Sequence, residues 1–113
     1  MENEKDIVYL YGFSTRKQMY LDNLLSIVSE QIESNVSIAI VLIHDGVIGT
    51  SQSGTIPSLL DKLLNLSVSV FALIPDLLAR GIEPNTIEPR IKCITYNDLV
   101  DILAQVPKVA SWM

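Results

Sequence analysis

The chain has 113 residues, with 8 Lys and Arg against 13 Asp and Glu and a net charge of -5. That length supports one domain, and scattered cations in an acidic chain exclude a direct grip on a nucleic-acid backbone. The single cysteine excludes an internal disulfide and any Cys-based zinc site, and no apolar run reaches the ~20 residues that span a bilayer.

The first residues, Met1-Glu2-Asn3-Glu4-Lys5-Asp6, are charged and lack the apolar core of a signal peptide. A cytoplasmic chain without a membrane partner is the expectation. Ile7 to Tyr11 reads as the first strand, and Gly12-Phe13-Ser14 as its exit turn, with Ser14 as N-cap of the next helix. From Thr15 to Glu33 the apolar residues Leu21, Leu24, Leu25, Val28 and Ile32 recur at helical spacing, and Asn35 suits the stop. Val36 to Ile43 is a nearly continuous apolar run rich in β-branched residues. Strands buried on both faces of a parallel sheet read this way.

Val47 to Thr55 is a polar loop leading to a second helix over Ile56 to Asn65. Val68 to Ile74 reads as another buried strand and runs straight into a short helix. Pro75 fits its first turn, Asp76 opposes the positive end of its dipole, and Gly81 fits its left-handed stop. A loop with Pro84 and Pro89 precedes a shorter strand, Arg90 to Ile94. Thr95 to Asp98 turns into a last helix that Pro107 ends, leaving Lys108 to Met113 as a tail with the only tryptophan.

Strand and helix alternate throughout. The pattern predicts an α/β fold: a single-domain α/β/α sandwich around a parallel sheet of about four strands, flavodoxin-like, in the order 2-1-3-4. In such sheets functional groups gather where the strands end. Here those places are Tyr11 to Ser14, His44 to Gly46, Pro75-Asp76 and Thr95 to Asp98. No glycine pattern for phosphates is present, so no nucleotide or other cofactor is expected. His44 and Asp45 pair an imidazole with a carboxylate. Read as consecutive strand residues they point to opposite faces, which spoils a catalytic dyad and favours a turn or a contact. Cys93, inside a strand beside Ile94, reads as a small core residue rather than a reactive thiol. Arg80 reads either as a solvated helix end or as an interface ion pair, and Trp112 either as tucked onto the core or as docked on a partner.

Several short motifs then match in order. They are Asp45-Gly46-Val47 after an apolar strand, Val70-Phe71-Ala72-Leu73 followed by Asp76-Leu77, Ala79-Arg80-Gly81, Tyr96-x-Asp98-Leu99-Val100, and a tryptophan one residue from the end. Together they resemble the DsrH/TusB family, within the DsrE/DsrF/DsrH group of sulfur-relay subunits. The resemblance implies a sulfur-relay subunit that works with DsrE/TusD-like and DsrF/TusC-like chains in an oligomer. Such relays serve tRNA wobble-uridine thiolation or sulfur oxidation. Some family members carry a relay cysteine in the early loop or first helix. This sequence has none between Met1 and Lys92, which implies an accessory subunit without catalysis of its own. The expected contact residues are His44, Asp45, Asp76, Arg80 and Trp112, with Cys93 the weak candidate for chemistry and no metal site. The alternative is a small-molecule-binding or enzymatic α/β domain built on His44 and Asp45.

Overall fold

The computed structural model describes residues 4–52 and 54–113. Met1, Glu2 and Asn3 of the charged start, and Ser53 of the polar loop, lie outside the described residues. The elements in chain order are β1 (Ile7–Tyr11), α1 (Gln18–Glu33), β2 (Ile38–Leu42), α2 (Ser58–Leu64), β3 (Val68–Leu73), α3 (Ile74–Ala79), β4 (Ile91–Ile94), α4 (Tyr96–Gln105) and β5 (Lys108–Trp112). Short 3-10 turns occupy His44–Val47 and Pro84–Thr86.

All the strands run parallel, in the order β4-β3-β2-β1-β5. The expected sandwich is there, but the strand count and order differ from the expectation. The stretch read as a tail is a fifth strand, paired with β1 from Ile7↔Lys108 to Tyr11↔Trp112. The sheet is also wound 4-3-2-1-5 rather than 2-1-3-4.

The winding explains the layers. Each step from β1 to β4 moves one strand in the same direction. Right-handed crossovers therefore put α1, α2 and α3 on one face. The return from β4 to β5 runs the other way and carries α4 across the opposite face. The packing divides accordingly. Tyr9, Tyr11, Ile38, Ile40, Leu42, Val70, Ala72 and Ile91 form one core with Leu21, Leu24, Val28, Leu60, Leu63 and Leu77. Val8, Ala39, Val41, Ile43, Leu73 and Ile94 form the other, where Leu99, Ile102 and Leu103 of α4, and Val106 just after it, pack against them. β2 is buried at every residue, as a central strand should be.

Two helices stop as their sequences dictate. Asn35 adopts a left-handed φ of 64°, with its N–H bonded to Ile32 O at 3.0 Å and the Val36 N–H bonded to Gln31 O at 2.9 Å. Gly81, at φ 70°, ends α3 in the same way: its N–H reaches Leu78 O at 3.1 Å and the Ile82 N–H reaches Leu77 O at 2.9 Å. Both are the double hydrogen-bonded stop that satisfies the last helical carbonyls. The helix starts fit the sequence reading less well. α1 begins at Gln18 rather than Thr15, and its cap position is Lys17, without a side-chain cap bond. Ser14 instead accepts from Arg16 N at 3.2 Å. Thr15 is fully buried, and its hydroxyl and N–H both donate to Ile48 O. It therefore fastens the loop after β1 to the loop after β2 rather than opening the helix.

Gly46 belongs to that fastening. A Cβ at Gly46 would lie 2.1 Å from Tyr11 O, so the glycine is required by close backbone approach and not by turn conformation. Neither atom can step aside, because Ile43 N already bonds Tyr11 O at 3.0 Å and Gly46 N bonds Ile43 O at 2.7 Å. Gly81 is the contrasting case, with nothing near an added Cβ and only its backbone conformation to oppose substitution. Gly46→Ala is expected to cost about 3 kcal/mol and Gly81→Ala about 1 kcal/mol. Urea unfolding of the two variants measures the difference; equal losses would contradict the packing assigned to Gly46.

Candidate functional site

The carboxyl ends of β2 and β3 bring His44, Asp45, Asp76 and Arg80 together. β2 leaves the sheet through extended Ile43, and the chain then reverses at His44, whose φ is 50°. A left-handed backbone is unusual for a residue with a side chain, though histidine tolerates it better than most. The reversal starts the 3-10 turn His44–Val47. His44 and Asp45 are thus consecutive residues of a turn, the reading that Asp45 and Gly46 favour in the sequence, and not an alternating pair within the strand.

β3 passes directly into α3, with Pro75 in the first turn. The Asp76 carboxylate accepts the His44 backbone N–H at 2.7 Å. Arg80, one helical turn later, donates through Nη1 to Asp76 O at 3.2 Å. Its Nε and Nη2 both reach Asp45 Oδ1 at 3.1 Å. α3 therefore carries both groups that hold the turn after β2. The ion pair is open to water, with Asp45 63% and Arg80 27% exposed at the side chain, and pairs of this kind contribute up to about 1 kcal/mol. The His44 imidazole is exposed. Its surroundings offer charge and hydrogen bonds but no enclosure that would keep water from a reacting group.

The other sequence-singled residues lie elsewhere. At the end of β4, Thr95 and Asp98 form a reciprocal cap: Thr95 N donates to Asp98 Oδ2 at 3.1 Å, and Asp98 N to Thr95 Oγ1 at 3.2 Å. The backbone and side-chain bonds from Thr95 hold the Asp98 carboxyl below its usual range, with Lys92 adding to the effect. This is helix capping rather than site chemistry. Cys93 sits in β4 facing the three-helix core, half-buried, with Sγ 3.8 Å from Pro84 O. Burial pushes its thiol up. Lys92 pairs in register with Phe71 and Cys93 with Ala72, so the cation points to the opposite face. Trp112 lies in β5, on the far side of β1 from the His44 cluster, with its ring 6.3 Å from that of Tyr11.

One network was not legible in the sequence. Arg90 binds Glu88 Oε1 through Nε at 3.0 Å, Asp61 Oδ1 through Nη2 at 2.8 Å and Asn65 Oδ1 through Nη1 at 2.7 Å. It ties α2 to the start of β4, and its bonds to Asp61 and then Glu88 hold the guanidinium above its usual range. A cavity of about 830 Å³ opens beside it on the α4 face, with Phe71, Lys92, Ile102 and Val106 in its lining. That is the amino end of β3, away from His44. Among the described residues no group of three or more His, Cys, Asp or Glu could hold a metal ion. No helix among them is long and apolar enough to cross a membrane.

A family model described as "DsrH like protein" matches residues 14–109. The chain belongs to the DsrH-like family. Protein TusB of Pectobacterium carotovorum subsp. carotovorum is 34% identical over 74 residues, covering 66% of this chain and 74% of that protein. Protein TusB of Buchnera aphidicola subsp. Baizongia pistaciae is 45% identical over 53 residues, covering 47% of this chain and 55% of its own length. Among solved structures, the ychN protein from E. coli superposes with a TM-score of 0.74 at 20% identity, over 96% of this chain and 99% of that one. A protein from Methanobacterium thermoautotrophicum, MTH1491, superposes at 0.70 with 15% identity, over 93% and 99%. These two likenesses concern the fold. Within this DsrH-like chain the matched region contains the whole His44–Asp45–Asp76–Arg80 cluster and Cys93, and stops short of Trp112.

Asp76→Ala is expected to destabilise the chain by about 2 kcal/mol, because a charged acceptor is removed from the His44 N–H. Hydrogen exchange at the His44 amide should quicken at the same time; an unchanged rate would show that Asp76 does not hold the turn. Cys93 should label slowly with a thiol reagent in the native chain and quickly in urea. Because burial raises its pKa, the native rate should still be climbing at pH values where an exposed thiol has levelled off. Fast native labelling at neutral pH would contradict the half-buried position.

Proposed function

We propose that this DsrH-like chain is a one-domain, non-catalytic subunit of a cytoplasmic sulfur-relay complex of the DsrEFH/TusBCD kind. It assembles with DsrE/TusD-like and DsrF/TusC-like chains, one of which carries the sulfur. The relatives named TusB favour delivery towards tRNA wobble-uridine 2-thiolation over sulfur oxidation. The chain itself binds neither the nucleic acid nor a cofactor.

The observation that carries this reading is the state of the only cysteine. Relay of a persulfide needs a thiolate that can attack and be attacked, and hence an accessible sulfur of low pKa. Cys93 is half-buried in a strand, its lysine neighbour points away, and burial pushes its thiol up. The exposed cluster of His44, Asp45, Asp76 and Arg80 suits a contact surface, where arginine and its ion pairs fix the register of partners.

A second reading has one observation in its favour. The His44 imidazole is exposed on a backbone held in a left-handed conformation, and unusual backbone can mark a functional position. In that reading the chain is a small-molecule-binding or enzymatic domain using His44 and Asp45.

Two variants separate the readings. Cys93→Ser is expected to leave sulfur delivery by the reconstituted complex unchanged; a loss of delivery with the complex intact would overturn the non-catalytic role. His44→Ala is expected to weaken assembly modestly, since the neighbouring contacts remain. If the isolated chain has a turnover that disappears with His44→Ala while the fold survives, the enzymatic reading takes precedence.

A further inference from the structure

The α4 face of the sheet holds a cavity that the assembly role does not use. A single helix leaves part of a five-stranded sheet uncovered, and at the amino ends of β2 and β3 the gap has a volume of about 830 Å³. Its floor is Ala39, Ser69, Phe71 and Lys92. Ala39 and Phe71 belong to the α4-side core, Ser69 pairs in register with Ala39, and Lys92 pairs with Phe71. Registered neighbours in a sheet share a face, so these four side chains stand on one floor. Ile102, Gln105 and Val106 form a wall at the end of α4, and Glu4 and Lys5 border the cavity just ahead of β1. The size suits a small molecule. The turn at His44 lies at the other end of the strands.

The charges around this cavity are unevenly committed. Phe71, Ile102 and Val106 are only partly buried and offer it an apolar surface. Among the described residues, Lys5 and Lys92 make no ion pair or hydrogen bond through their side chains, and neither does the half-buried Ser69 hydroxyl. Arg90 also borders the cavity, but its guanidinium is spent on Glu88, Asp61 and Asn65. Glu4 is the single carboxylate of the lining; it is exposed and has an interaction of its own. Asp98 feels the charge of Lys92, yet its carboxylate accepts from Thr95 N at 3.1 Å. In a chain of net charge -5, the cavity is thus a local excess of unpaired positive charge beside an apolar floor.

We propose that this cavity binds a small organic acid, a singly charged anion on an apolar body. The body lies on Phe71, Ile102 and Val106, and the acid group meets the Lys92 ammonium beside Phe71. Adjacent strands stand about 5 Å apart, so an anion resting on the Phe71 ring comes under the lysine of the next strand. The carboxyl end of α4 borders the cavity and disfavours negative charge near it. That keeps the acid on the β4 side, and it weighs against a polyphosphate. No helix begins at the cavity and no glycine lines it, so the backbone cradle that phosphates use is missing. The proposal stands apart from the sulfur-relay reading, because neither Cys93 nor any residue of the His44 cluster takes part.

The probe is decanoate, titrated into the full chain by calorimetry and by amide chemical-shift mapping. Decanol and decylamine, with the same chain length but no charge or the opposite charge, are the controls. Decanoate is expected to bind with a Kd below about 1 mM, and at least tenfold more tightly than either control. The largest shifts should fall at Ala39, Ser69, Phe71 and Ile102. Lys92→Gln, at an exposed position, should leave the melting temperature unchanged and weaken decanoate about tenfold, the loss of one charged hydrogen bond. Lys92→Arg should stay within about twofold of wild type. Ser69→Tyr fills the opening with a residue that suits a strand and should abolish binding; if it fails to fold, the two Lys92 variants still decide. Decanol binding as tightly as decanoate would overturn the proposal, since an apolar gap alone would then explain the site. Shifts centred on His44 or Trp112, or no binding at several millimolar decanoate, would overturn it as well. Protection of Lys92 from acetylation by a DsrE/TusD-like or DsrF/TusC-like chain, with no decanoate binding, would give the surface to a protein partner, against the proposal.

Discussion

The right-handed crossover is the constraint on which the rest of this fold depends. Three successive steps in one direction commit α1, α2 and α3 to one face of the sheet. The opposite face can then be covered only by reversing direction, and α4 does this alone. The same reversal carries the chain past β1, so β5 has no other place to pair. From that follow the nearness of Trp112 to Tyr11, the open cavity on the α4 face, and the separation of Trp112 from the turn at His44.

Much of the fold was legible because its signals are local. The continuous apolar run of β2, the passage of β3 into Pro75 and Asp76, and the left-handed stops at Asn35 and Gly81 each need only neighbours in sequence to be read. β5 was missed for a physical reason. Lys108, Val109 and Ser111 are exposed, so an edge strand of this kind leaves neither a long apolar run nor a clean alternation. Pro107 was read rightly as the end of a helix, but nothing in the next few residues says that a strand begins. The strand order was missed because local pattern constrains the hand of each crossover and not the direction of each step.

The site shows the same division. Asp45, Asp76 and Arg80 were recognisable as turn, helix start and helix end, and the adjacency of β2 and β3 brought them together. What the sequence did not reveal is that α3 reaches back to hold the turn, through Asp76 to the His44 N–H and through Arg80 to Asp45. Thr15 and the Arg90 network were missed for a related reason. Each joins segments far apart in the chain, and a buried threonine or an arginine with three partners carries no local mark. Gly46 was read correctly as a turn residue but for an incomplete reason. Its demand is set by Tyr11 O, a backbone atom of another strand, and no residue identity encodes that atom's position.

Register parity decides the chemistry available at β4. Side chains alternate between faces along a strand, so Lys92 and Cys93 cannot share an environment. A shift of one residue would put the thiol on the thinly covered α4 face, beside the open cavity, and the ammonium under three helices. Burying an unpaired ammonium there is costly enough to forbid that register. The arrangement that keeps Lys92 in water therefore also keeps Cys93 against the core, where its thiol is pushed up and shielded. The half-buried position of the sulfur needs no dedicated device: it follows from the solvation of its neighbour.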